Sequence, residues 1–173
     1  ILAKSEQNGH VCLYQHLKNV ADTARVMAKH LGFDEQIAVE GALLHDIGKA
    51  SPVFQQSLIS PNKKPGSVFR HEIASLFFLS LVCQEHRDAV IDMIVAHHKS
   101  MYKDVRDLGI LDLDDASDCF KEHSKLFPEW SHIAIDILES LGMETHEVSL
   151  EEAKENYEYV IDYCDGRKKG CSE

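Results

Sequence analysis

From Leu13 to Leu31 the apolar residues Leu13, Leu17, Val20, Ala24, Met27, Ala28 and Leu31 recur every three or four positions, and the run closes on Gly32. That spacing lays one apolar stripe along a helix, and glycine suits the left-handed backbone that ends one. The period returns behind a capping Asp34 through Ile37, Ala38, Gly41, Leu44 and Ile47, stopping near Gly48. It predicts that His45 and Asp46 occupy the last turn of this second helix. Further helices are expected over 52–59, 69–83 and 87–98. Pro128 opens another, with Ile133, Ile137, Leu138 and Leu141 on one face and Gly142 behind them. Ser149-Leu150-Glu151-Glu152 reads as a capping box for a last helix through Tyr157, Val160, Ile161 and Cys164. Residues 60–67 read as an exposed polar loop. Between Lys99 and Lys125 the pattern weakens into an acidic stretch, Asp112-Leu113-Asp114-Asp115, with room for one short helix. Strand-like alternation persists nowhere, so the expected fold class is all-α.

A chain of 173 residues suits one domain with a real core, residues 1–173. It begins at Ile1 rather than Met, which leads us to expect a piece of a longer protein. The longest apolar stretch, Leu76 to Cys83, is broken by Ser80 and falls well short of the roughly 18 residues of a membrane span. No signal peptide is visible, and no membrane partner is expected. The five cysteines form an odd set without a Cys-x-x-Cys pair, which disfavours a disulfide framework and a zinc ribbon and points to the cytoplasm. A net charge of −11 disfavours a surface that holds nucleic acid unaided. Bound divalent cations would reverse that field locally, so a phosphodiester substrate remains compatible.

The chemistry centres on Leu43-Leu44-His45-Asp46-Ile47-Gly48-Lys49. A buried imidazole beside a buried carboxylate is costly unless something binds both, and a divalent cation would. His16, His71 and the adjacent His97 and His98 also stand among apolar neighbours. A lone histidine on a helix is more often structural than a ligand, but together with His45 and Asp46 these four form a donor set. Imidazole with carboxylate suits manganese, iron, cobalt or nickel better than magnesium; zinc is chemically compatible but less expected here. His10, His30, His86, His123, His132 and His146 lack such a setting and read as solvated or structural.

His16, His45-Asp46 with Gly48-Lys49, His71, and His97-His98 resemble the HD superfamily of metal-dependent phosphohydrolases. Within it, Leu44-His45-Asp46-Ile47-Gly48-Lys49-Ala50 with Phe54-Gln55, Arg70-His71-Glu72-Ile73-Ala74-Ser75 and Ala96-His97-His98 resemble the HD nuclease domain of the type I CRISPR interference nuclease-helicase. The resemblance implies an all-α fold and two divalent metals. One would be held by His16, His45, Asp46 and a C-terminal aspartate, the other by Asp46, His71, His97 and His98, with Asp46 bridging. Asp165 is the favoured C-terminal ligand and Asp162, almost one turn earlier, the alternative. The implied partners are single-stranded DNA, a helicase domain or subunit, and an RNA-guided surveillance complex.

Two cations roughly 3.5–4 Å apart can activate a water and clamp both oxygens of a displacement at phosphorus. Lys49 then either neutralises a nonbridging phosphate oxygen or is a surface lysine at a helix end. Arg70 and Glu72 either orient His71 or form a surface ion pair. Ser75 reads as a helix-packing residue, Phe54 as core, and Phe54-Gln55 as a possible contact to a nucleobase. The leading expectation is a metal-dependent nuclease on single-stranded DNA delivered by a helicase. The alternatives are an HD phosphohydrolase acting on a nucleotide or cyclic dinucleotide, and a metal-free scaffold that keeps the fold.

Overall fold

A computed structural model of the protein describes residues 1–4, 9–59, 69–96 and 120–170, with side chains as far as 166. The first apolar stripe forms α1 (Leu13–Leu31), which ends at Gly32 with φ 73°, its N–H donating to the Ala28 carbonyl. Leu13, Leu17, Ala21 and Ala28 are buried, whereas Met27 and Leu31 at the far end stay exposed. Asp34 caps α2 (Glu35–Leu44), its Oδ1 accepting from the Ile37 and Gln36 N–H groups at 3.0 and 2.8 Å. Those bonds, the Ile37 one foremost, hold the Asp34 carboxyl below the usual carboxylate range.

The expected position of His45 and Asp46 needs correcting. Helix α2 ends at Leu44, His45 caps it, and Asp46 lies beyond it at φ −122°, ψ 5°. A 3₁₀ turn, Ile47–Ala50, follows, and then α3 (Pro52–Ile59) as expected. Consecutive side chains on a continuing α-helix would diverge by about 100°. Leaving the helix between them lets both face one point.

The long helix expected over 69–83 is broken. Only His71–Ser75 is α-helical (α4), and Leu76–Leu81 continues as a 3₁₀ turn. The buried Asn156 side chain donates to the Phe77 carbonyl at 2.9 Å and to Ser80 Oγ at 3.0 Å, so this turn is bound from outside. A 3₁₀ turn at Gln84–His86 leads into α5 (Arg87–Ala96), and α6 (Phe120–His123), α7 (Phe127–Ser140) and α8 (Leu150–Gly170) complete the described elements. His97, His98, the loop at 60–67 and the acidic run at 112–115 lie outside the described residues. The capping box is half formed: Ser149 Oγ accepts from the Glu152 N–H at 3.1 Å, while the Glu152 carboxylate pairs with His146 at 2.7 Å.

Phe77, Phe78, Phe127 and Trp130 are fully buried and meet largely edge to face, with Phe120 and Tyr157 packed beside Phe77. Helix α8 covers the 3₁₀ turn at Leu76–Leu81, and two of its tyrosines reach α5 in the same chain sense. Tyr159 donates to Asp88 at 2.9 Å and Tyr163 to Asp92 at 2.7 Å, one turn further along each helix. The architecture is all-α, and among the described residues no helix is long and apolar enough to cross a membrane.

Candidate metal centre

Asp46 is only 2% exposed, and polar side chains from three parts of the chain converge on it. His16 Nε2 from α1 lies 2.8 Å from Oδ2, and His45 Nε2 lies 3.2 Å from the same oxygen. His71 Nε2, at the start of α4, stands 2.9 Å from Oδ1. The two carboxylate oxygens therefore face different histidines. The hairpin of α1 and α2 brings His16 beside His45, their ring centroids 5.3 Å apart.

Backbone contacts set the orientation of His45. Its Nδ1 lies 2.6 Å from the Ala42 carbonyl, which can only accept, so Nδ1 carries the proton and donates. Nε2 then turns toward a carboxylate oxygen that also only accepts. At 3.2 Å that pairing is favourable only with a proton or a metal ion between them. The potential ligand atoms of His16, His45 and Asp46 all lie within 4.8 Å of one another, and two imidazoles with a carboxylate are a borderline-metal donor set. The residues present thus fit a divalent transition metal.

Close packing holds His71 beside this group. A Cβ on Gly48 would collide with the His71 carbonyl oxygen and lie 2.8 Å from the Ser75 amide nitrogen, so only glycine lets α4 approach the turn. Ser75 is fully buried; its Oγ accepts from the Gly48 N–H at 2.9 Å and donates to the His45 carbonyl at 3.2 Å. Reading Ser75 as a mere packing residue understates it, since it ties α4 to both sides of Asp46. A hydroxyl in the apolar run Ile73 to Leu79 was the available signal, because a buried hydroxyl needs partners.

The surroundings of Lys49, Arg70, Glu72, Phe54 and Gln55 bear on alternatives that the sequence left open. Lys49 is not a surface lysine: its side chain is 11% exposed, and Nζ lies 2.6 Å from Asp46 Oδ2 and 5.8 Å from the Phe54 ring centroid. Arg70 and Glu72 pair at 2.8 Å in a buried setting rather than at the surface. Burial pushes the Glu72 carboxyl up, but the Arg70 guanidinium and hydrogen bonds outweigh it and hold it below its usual value. Phe54 is half-buried and meets the His71 ring edge-on at 5.0 Å, while the Gln55 side chain is committed to backbone groups rather than turned toward a base.

The geometry brings His16, His45, Asp46, His71 and Lys49 together. Asp165, half-buried on α8, lies outside the compact His16–His45–Asp46 group, and Asp162 is exposed. Asp165 follows Tyr163 by two residues on α8, and Tyr163 is tied to Asp92, four residues before the end of α5. His97 and His98 follow that end in sequence. His123, read as structural, is 1% exposed, and its Nε2 accepts from the Arg70 N–H at 3.1 Å.

The sequence profile of the HD domain matches residues 13–122. The chain belongs to the HD domain family. This assigns the all-α bundle to a metal-dependent phosphohydrolase fold, in keeping with the donors around Asp46. Comparisons with curated proteins and with solved structures give no match.

Proposed function

We propose that this HD domain is a nuclease that uses two divalent transition metals, manganese, iron, cobalt or nickel, to cleave single-stranded DNA. In this reading His16, His45, Asp46 and Asp165 hold one metal, and Asp46, His71, His97 and His98 hold the other. The observation that carries it is the division of labour at Asp46, whose Oδ2 faces His16 and His45 while Oδ1 faces His71. That is the arrangement a bridging carboxylate needs. Bound cations of this kind supply Lewis-acid assistance to hydrolysis at phosphorus.

The chain's own groups do the rest. Ala42 fixes the His45 ring, and Ser75 and Gly48 keep α4 against the turn, so ligands are preset rather than assembled on binding. Lys49 supplies a positive charge for a nonbridging phosphate oxygen, and Phe54 packs against the His71 ring. The choice of single-stranded DNA rests on the likeness of the motifs around His45, His71 and His97-His98 to the type I CRISPR nuclease domain. The charge of −11 agrees with a strand handed over by a helicase, on this chain or a partner, and recruited by an RNA-guided surveillance complex.

The test is a substrate panel in manganese, cobalt or nickel: circular and linear single-stranded DNA, nucleotides, and cyclic dinucleotides, with Asp46→Ala alongside. Cleavage of the circular strand by the unaltered chain, lost in Asp46→Ala, is the expected result. Phosphate release from nucleotides, or opening of cyclic dinucleotides, with the DNA left intact would replace this reading with that of a nucleotide phosphohydrolase. Metal analysis finding no bound cation after metal-replete expression would instead favour a scaffold role.

A further inference from the structure

Gln55 adjoins the metal centre without touching it, and its carboxamide is fully engaged with the backbone. Oε1 accepts from the Leu2 N–H at 3.0 Å, and Nε2 donates to the Leu2 carbonyl at 2.8 Å and the Lys49 carbonyl at 2.7 Å. One acceptor and two donors are needed at once, which only a primary amide of this length provides.

Leu2 leads on to α1. It stands opposite Cys12 in an antiparallel bridge, the Ala3 N–H donates to the Val11 carbonyl at 2.7 Å, and the Leu13 N–H donates to the Ile1 carbonyl at 3.0 Å. Cys12, the N-cap of α1, makes no capping bond through its side chain, so the Leu2 segment fixes this helix start instead. The Cys12 carbonyl accepts from the His16 N–H at 3.0 Å. A continuous path of hydrogen bonds therefore runs from the turn after Asp46, through Gln55 and Leu2, to the first turn of α1, where His16 stands.

We infer that Gln55 is a positioning residue that sets the separation of His16 from Asp46, and through it the metal affinity of the centre. The inference rests on the metal reading above for its second half only. Gln55→Leu removes all three bonds, whereas Gln55→Glu keeps an acceptor for Leu2 but sets a carboxylate against two carbonyls.

The experiment measures two things in the full chain: manganese affinity by calorimetric titration, and the His16 imidazole nitrogen signals by NMR without metal. Phe127→Leu, in the aromatic core, serves as a variant of lowered melting temperature. Both Gln55 variants are expected to bind manganese about ten-fold more weakly and to shift the His16 signals, while Phe127→Leu does neither. Unchanged manganese affinity with unmoved His16 signals in Gln55→Glu overturns the inference, as does an equal weakening in Phe127→Leu. If the unaltered chain binds no manganese, the metal reading falls, and the His16 signals alone decide the role of Gln55.

Discussion

Asp46 and Phe127 are both buried, yet their surroundings are held by different physics. Around Phe127, large rings fill space against Phe77, Phe78 and Trp130, and the contacts are numerous and weakly directional. Around Asp46, a few directional contacts from His16, His45, Lys49 and His71 meet on one carboxylate, and Gly48 and Ser75 set the spacing. Volume governs the first region and geometry the second. A change in one should therefore move a different observable from a change in the other.

The largest effect belongs to the core. Phe127→Ala should lower the unfolding free energy by about 3–5 kcal/mol in chemical denaturation, with manganese affinity of the folded fraction unchanged. Loss of metal binding in step with stability would break the comparison and make the two regions one unit. Gly48→Ala comes next: the added methyl must displace the backbone of α4, so we expect a loss of about 1–3 kcal/mol together with weakened metal binding. Normal affinity in that variant would mean that α4 can retreat without carrying His71 away.

Ser75→Ala strands the Gly48 N–H and should cost about 1–3 kcal/mol, near the lower end if water reaches the amide. Faster hydrogen exchange at Gly48, against unchanged exchange in α7, is the local signature to seek. The smallest effect is in acid. Because the Glu72 carboxyl titrates lower in the folded chain than its usual 4.5, its ionised form stabilises the fold above that pH, and the contribution fades as pH falls through the folded value. The melting-temperature gap between the unaltered chain and Glu72→Gln should thus be widest near neutrality and narrow below about pH 4.5. A gap independent of pH would show that the Arg70 pair contributes through packing alone.

Much of the helical framework was legible because it is local. The stripe from Leu13 to Leu31 with Gly32 behind it, and Asp34 ahead of Ile37, encode their own boundaries in neighbouring residues. The break at Ser75 was not legible, because the run Leu76 to Leu81 is as apolar as a helix interior and the group that binds it, Asn156, lies far away in sequence. The same holds at the site. His45 and Asp46 announce themselves as costly buried neighbours, whereas the roles of Ser75 and Gln55 depend on partners from other segments. Lys49 was undecided between surface and site because its local surroundings suit both.

The sequence by itself determined the all-α class, the caps at Gly32 and Asp34, and the residue types from which a metal centre can be built, since each depends on period, composition or adjacency. Only the tertiary structure decided that the chain leaves the helix between His45 and Asp46, that the two oxygens of Asp46 face different histidines, and that Gln55 joins the Leu2 segment to Lys49. Those outcomes depend on distances between residues remote along the chain, and such distances are set by packing rather than by any local preference.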